Sequence, residues 1–362
     1  MKRFFTIIIS ISLICCAIGL FACKEEKTEI PDDESFVYRA LTDEENTVGY
    51  SISGAQIAEN GEVIIPSQYK GLPVTEIDGY AFYECAEITS LTIPESVTAI
   101  GDSAFYNCEN LKSLTLNGKI SDMGELTFAH CEKLESVKIG DKVEEISYYA
   151  FFECSALKEV TIPASVKTIG ESAFSFCTSL KKVTLNEGLE YIGDCAFGGC
   201  FDLEEFIMPQ SVTEIGFGVL MFVGGFFFDG EVFDGTNSVK KIVMSDNITD
   251  IPDFAFSGCA IPTIAIGKKV EKINYSAFYG CEWLESVIIP KSVKQIASYA
   301  FYNCFMLNTV YYDGTAEEWT AVKIGKNGND IVNAVVYYYS ESKPSQTGNF
   351  WHYSSDGAPV KW

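Results

Sequence analysis

The sequence predicts an α/β repeat solenoid with one parallel β-sheet face and capped ends, and three observations carry that prediction. Phe82, Phe105, Phe128, Phe151, Phe174 and Phe197 stand 23 residues apart without exception. A cysteine follows three residues after each, from Cys85 to Cys200, and the pattern returns at Phe256-Cys259, Phe278-Cys281 and Phe301-Cys304. Next comes a Leu-x-x-Val-x-Ile segment, as in Leu157, Val160 and Ile162; its in-out alternation reads as a short strand. With Leu220 replacing Phe in a degenerate copy, there are ten copies. A single 23-residue coil cannot bury its own Leu, Val, Ile and Phe, but a stack of coils buries each column as one layer of a shared core. Strands of successive coils then pair in parallel about 4.8 Å apart, and ten coils make a rod or shallow arc roughly 50 Å long. Proline just after the strand (Pro94, Pro163, Pro209, Pro290) cannot donate to the ladder and stops it.

Composition bounds what such a rod can do. The 362 residues hold 26 Lys+Arg against 50 Asp+Glu, a formal net charge of -24. That surface repels duplex nucleic acid. With 47% hydrophobic residues the chain buries a core, which excludes wholesale disorder. Only two histidines, His130 and His352, are present, so a multi-histidine metal site within one chain is excluded. Thirteen cysteines would read as a disulfide framework in an exported protein, so their placement has to be settled first.

Taken in order, residues 1–22 read as a secretory signal. Lys2 and Arg3 form a positive start and Phe4 to Leu20 is almost continuously apolar. The Leu20-Phe21-Ala22-Cys23 run, followed at once by Lys24-Glu25-Glu26-Lys27, resembles the lipobox of bacterial lipoproteins, although Phe21 departs from the small or branched residue usual at that position. The resemblance implies cleavage before Cys23 and lipid attachment to it, with Cys15 and Cys16 leaving in the signal. Loss of Lys2 and Arg3 leaves 24 bases against 50 acids, a mature charge of -26. Several acyl chains on one cysteine hold a protein stably on a membrane. Residues 23–35 have no apolar periodicity and read as a flexible charged tether.

Residues 36–76 are expected to cap the first coil and 77–312 to form the solenoid. In 313–362, Thr315 and Glu318 have capping-box spacing ahead of Trp319, which predicts a short helix over the last coil. Val335 to Tyr339 is expected to add a closing strand, and the aromatic tail with Phe350, Trp351 and Trp362 is expected to pack as part of the cap.

The rhythm breaks once. Leu220 and Phe256 are 36 residues apart where 23 are expected, an insertion near 224–238 that carries Phe226, Phe227, Phe228 and Phe233 among Asp229, Glu231 and Asp234. Loops on a rigid scaffold often carry function; the alternative is a satellite cluster sealing the degenerate coil. The outward residue of each strand also changes character here. It reads Thr92, Thr115, Lys138, Thr161 and Thr184, then Ile207, Val243, Ala265, Ile288 and Tyr311. An apolar stripe beside a Phe-rich loop marks a candidate binding surface: Phe226, Phe227, Phe228, Phe233, Ile207, Val243, Ile288 and Tyr311.

No enzyme signature is present. There is no Cys-x-x-Cys, no Gly-x-Ser-x-Gly and no phosphate-binding Gly-rich loop. His130 precedes Cys131, but Cys131 belongs to the repeat column and reads as a packing residue. No Asp-x-Asp-x-Asp-Gly loop supports a calcium site, and no cofactor is called for. Stacked column cysteines lie within disulfide distance, yet their Cβ vectors run parallel where a bridge needs convergence, so they read as unbridged. Cys195, off the column, reads as the exposed thiol.

The Ile-Gly-x-x-Ala-Phe-x-x-Cys motif (Ile169-Gly170, Ala173-Phe174, Cys177) resembles the BspA-like group of leucine-rich-repeat surface proteins. What the resemblance implies is a right-handed leucine-rich-repeat solenoid, adhesion or protein binding at a bacterial surface, and no catalytic residue. The expected partner is a protein of a host or neighbouring cell, with no nucleic acid. A glycan-binding lipoprotein serving an uptake system and a structural envelope spacer are the alternatives.

Overall fold

The computed structural model describes residues 35–43, 46–221 and 238–362. Cys23, its tether and Phe226, Phe227, Phe228 and Phe233 lie outside them.

Over the described residues the chain winds into a β-solenoid with almost no helix. Eight parallel strands run from Glu62–Ile64 to Lys241–Val243, and a second sheet begins at Thr263–Ala265 and includes Val335–Tyr339, giving twelve parallel rungs. The register advances by one repeat per coil: Val137 lies opposite Leu114, and Val160 opposite Val183. Inward residues such as Val160 and Ile162 are buried, while Thr161 between them faces out. Where the fold class allowed helices on the back of the coil, the chain instead forms a second ladder of two-residue strands, such as Glu145–Ile146, Thr168–Ile169 and Tyr191–Ile192. Glycine beside this ladder permits the close approach of coils: a Cβ on Gly101 would sit 2.3 Å from the Gly79 nitrogen.

The third wall is built from the Ala-Phe-x-x-Cys turns. Backbone bonds join each turn to the next, as in Phe128 N–H to Ala150 O at 2.8 Å and Phe151 N–H to Ala173 O at 2.8 Å. Two residues per turn adopt left-handed backbone, one before the Ala and one before the Cys, for example Ser172 (φ 53) and Phe176 (φ 59). Between the walls the phenylalanines form a stacked spine, with Phe82–Phe105 ring centroids 4.9 Å apart and Phe174–Phe197 5.4 Å. Full burial stabilises each ring by roughly 1.5–3 kcal/mol relative to exposure.

The spine is interrupted at Leu220. That coil exchanges volume between columns: Phe206 fills the strand position held elsewhere by Val, Leu or Ile, is fully buried, and meets Phe197 edge-on at 5.3 Å. The insertion leaves the sheet in register, because Ile207 pairs with Val243 across it. The turn wall also crosses it, through Leu220 N–H to Ala255 O at 2.9 Å.

At the N-terminal end, Phe36–Asp43 and Asn46–Ala55 form an antiparallel hairpin that continues in parallel onto Leu72–Ile77. Tyr38 stacks on Tyr69 at 3.7 Å, and Arg39 pairs with Asp78 at 2.6 Å. At the other end, Thr315 and Glu318 form the reciprocal capping box of helix Ala316–Ala321, and Trp319 lies 5.1 Å from Tyr312. Val335–Tyr339 extends the second sheet, followed by Phe350–Tyr353 and Pro359–Lys361.

Eight of the nine column cysteines are free. Cys85 departs from the expectation, being disulfide-bonded.

Candidate binding surface

The stripe predicted along the outer sheet is divided in two. Ile207 and Val243 sit side by side on paired strands and are 43% and 37% exposed. The alternation that buries Phe206 and Met208 turns Ile207 outward. Ile288 and Tyr311 are only 7% and 9% exposed, which corrects the expectation that they face solvent. The cause is the tail. Trp351 is fully buried against Ile288 and Tyr311, with Tyr337 packed alongside. Its indole Nε1–H donates to the Tyr312 carbonyl oxygen at 2.9 Å. Lys361 closes the edge, its Nζ 4.3 Å above the Tyr337 ring. The far end of the stripe is therefore internal packing, and the open part is Ile207, Val243 and Ala265.

A set of aromatics that the sequence reading did not single out lies on the turn wall. Tyr80 contacts Tyr83 (5.7 Å), Tyr83 stacks on Tyr106 (5.1 Å), and Tyr106 meets His130 (5.0 Å). A second run links Phe254 to Tyr275 (5.7 Å), Tyr275 to Tyr299 (5.5 Å) and Tyr299 to Tyr302 (5.5 Å). Their signal was the aromatic residues flanking several of the Ala-Phe pairs, such as Tyr80 and Tyr83 around Ala81-Phe82, visible only once the columns are aligned as turns.

The thiols are poorly suited to attack. Burial pushes the Cys108, Cys154 and Cys200 thiols well up, and those of Cys281 and Cys195 to about 12. Cys131 directs its Sγ to the Phe105 carbonyl at 3.4 Å, while His130 Nδ1 lies 3.0 Å from Glu153. The adjacent pair in sequence is thus split between two partners. Cys195 is half-buried rather than open.

An open depression of about 400 Å³ is lined by Lys119, Asp141, Lys142, Glu144, Ser165 and Lys167. Its lysines are taken by carboxylates, as in Lys142–Glu95 at 2.8 Å and Lys167–Glu190 at 3.5 Å. Among the described residues no group of three or more His, Cys, Asp and Glu is placed to hold a metal, and no helix is long and apolar enough to cross a membrane.

The sequence matches a family model described as a BspA type leucine rich repeat region (6 copies) over residues 75–166, 121–222 and 228–321. No curated protein matches it. Among solved structures, it is similar to a leucine-rich cell surface protein from Faecalibacterium prausnitzii, with 26% identity, 83% of this chain and 99% of that chain covered, and a TM-score of 0.42. It is also similar to a leucine-rich repeat protein from Eubacterium ventriosum, with 20% identity, coverage of 86% and 95%, and a TM-score of 0.45. The pneumococcal vaccine antigen PcpA is 20% identical, with 88% of each chain covered and a TM-score of 0.39.

Proposed function

The chain belongs to the BspA-type leucine-rich-repeat family, and from that premise we propose a non-catalytic protein of the bacterial surface whose solenoid binds a protein on a host or neighbouring cell. A lipid on Cys23 tethers it to a membrane. The observation that carries the binding role is the exposed Ile207–Val243 pair on the outer sheet. Two branched side chains held on adjacent parallel strands form a rigid apolar contact that needs no ordering on association. The proposal extends to Phe226, Phe227, Phe228 and Phe233, which lie in sequence between the two strands that carry Ile207 and Val243.

The test is binding of the protein to intact target cells before and after protease treatment of those cells. Protease should abolish binding, and an Ile207→Ser/Val243→Ser variant should weaken it while unfolding at the same urea concentration. Binding that resists protease, survives high salt and is competed by free sugar would favour the glycan reading, for which the exposed Tyr275 and Tyr302 are the supporting feature. Absence of both forms of binding would leave an envelope spacer. The tether has its own test: globomycin should block maturation of the chain, and unimpeded maturation would remove Cys23 as the lipid site.

A further inference from the structure

The turn wall sorts charge by sign. Its ten turn segments, from 78–87 to 297–306, carry thirteen Asp and Glu, one lysine (Lys133) and no arginine. The other fifteen lysines of residues 77–312 all fall on the remaining walls and corners. Ion pairing follows the same division. Lys158 pairs with Glu135 at 2.7 Å, Lys241 with Glu205 at 3.3 Å and Lys294 with Glu271 at 2.7 Å, all off the turn wall. Among the described residues, the ion pairs made by turn-wall carboxylates are Arg39–Asp78 and His130–Glu153. Glu109, Glu125 and Glu132 stand exposed on neighbouring coils and make none of these ion pairs; the wall's one lysine, Lys133, donates instead to Asn110 Oδ1 at 2.6 Å. Through the same wall run the aromatic contacts from Tyr80 to His130 and from Phe254 to Tyr302.

We propose that the turn wall docks an extended, lysine- and arginine-rich segment of a partner polypeptide. Charge complementarity selects this occupant. Rings cover the methylene stems of long basic side chains while carboxylates receive their charged heads. Arginine gains further from contact with aromatic rings. A net charge of -24 draws a basic segment in. The coil-to-coil backbone bonds hold the turns as one rigid wall, so an extended chain along the rod meets carboxylates and rings of several coils. This deepens the proposed binding role by naming a second face and its partner chemistry, and it is separable from the sheet-face site.

The experiment titrates the full chain with a short labelled peptide of alternating arginine and serine at low salt and follows anisotropy. Glu109→Gln/Glu125→Gln/Glu132→Gln should weaken binding about tenfold, the equivalent of a fraction of a kcal/mol per contact. The control Glu135→Gln/Glu205→Gln/Glu271→Gln changes net charge equally on the other walls and should stay within about twofold. Both variants should retain the wild-type circular dichroism. Equal weakening by the two sets would mean diffuse attraction alone and overturn the proposal, as would no binding by the wild type. Displacement of the peptide by a neutral oligosaccharide, with the wall variant unaffected, would assign the ladder to sugar and also overturn it. Ile207→Ser/Val243→Ser should leave peptide binding unchanged, so failure on the turn wall is distinguishable from failure of the sheet-face reading.

Discussion

The Cys154 thiol donates to the carbonyl oxygen of Phe128, one coil back, at 3.3 Å. The same bond joins Cys108 to Phe82 (3.2 Å), Cys200 to Phe174 (3.2 Å) and Cys304 to Phe278 (3.2 Å). The Phe128 carbonyl already accepts the Cys131 N–H at 3.4 Å, so the thiol occupies its second lone pair in a wall sealed from water. The column therefore asks for a small apolar side chain with one weak donor, which is what cysteine supplies. Cys154→Ala removes both the donor and the sulfur's volume and should lower stability by about 1–2 kcal/mol. The measurement is the urea midpoint at pH 7, and an unchanged midpoint would show that the thiol bonds contribute nothing.

The buried thiols also set an alkaline limit. Burial raises the folded-state pKa of Cys154, Cys177, Cys200, Cys259 and Cys304, and that of Cys281 to about 12. Unfolded thiols titrate near pH 8.5, so above that value the unfolded chain binds fewer protons than the native one. Stability is thus complete below about pH 8.5 and falls as pH rises towards the folded values, by up to about 1.4 kcal/mol per pH unit for each thiol. Several thiols acting together should give a steep loss between about pH 9 and pH 10. Urea midpoints across pH 7 to 10, followed by circular dichroism, check this; a flat profile would contradict the burial argument.

Residues repeated in every coil were legible because the same burial selects them each time. The 23-residue spacing places Phe151 on Phe174 at 5.2 Å, and Thr315 finds Glu318 because a capping box is local. The left-handed turn positions were not legible. Glu84, Leu126, Tyr149 and Phe176 occupy them alongside Gly199 and Gly280, since the coil-to-coil bonds hold the backbone there whatever the side chain. Tail packing was legible only as an expectation of a cap. That Trp351 would reach back over Ile288 depends on tertiary register, which no periodicity encodes. Charge sorting on the turn wall lay in the sequence throughout, but required knowing which columns share a wall.

Those left-handed positions carry stored strain that one substitution should relieve. Glu84 has φ 56 and an exposed side chain, and glycine holds the same place in the turn at Gly199, Gly258 and Gly280. The left-handed conformation costs a non-glycine residue about 1–2 kcal/mol, while glycine adds about 0.5–1 kcal/mol of unfolded-state entropy. Glu84→Gly should therefore stabilise the solenoid by up to about 1 kcal/mol. A lower urea midpoint in the variant would mean that the coil holds Glu84 without strain.

Trp351 fastens the tail to the outer sheet, and its removal should uncover what lies beneath. The indole covers Ile288 and Tyr311 and donates to the Tyr312 carbonyl, so Trp351→Ala loses a large buried ring and one hydrogen bond. Trp→Ala substitutions in packed sites cost about 3–5 kcal/mol, more than a short terminal hairpin recovers from its few remaining contacts. Phe350–Tyr353 and Pro359–Lys361 should then detach while the coils, whose Phe spine does not involve the tail, remain folded. Ile288 and Tyr311 would join Ile207, Val243 and Ala265 in one continuous apolar row along the sheet. The expected readout is rapid chymotrypsin cleavage after Phe350 and Tyr353 and increased binding of an apolar dye, with the main unfolding transition retained. Resistance to cleavage in Trp351→Ala would place the tail's anchorage in the strand pairing of Tyr338 with Phe350 instead.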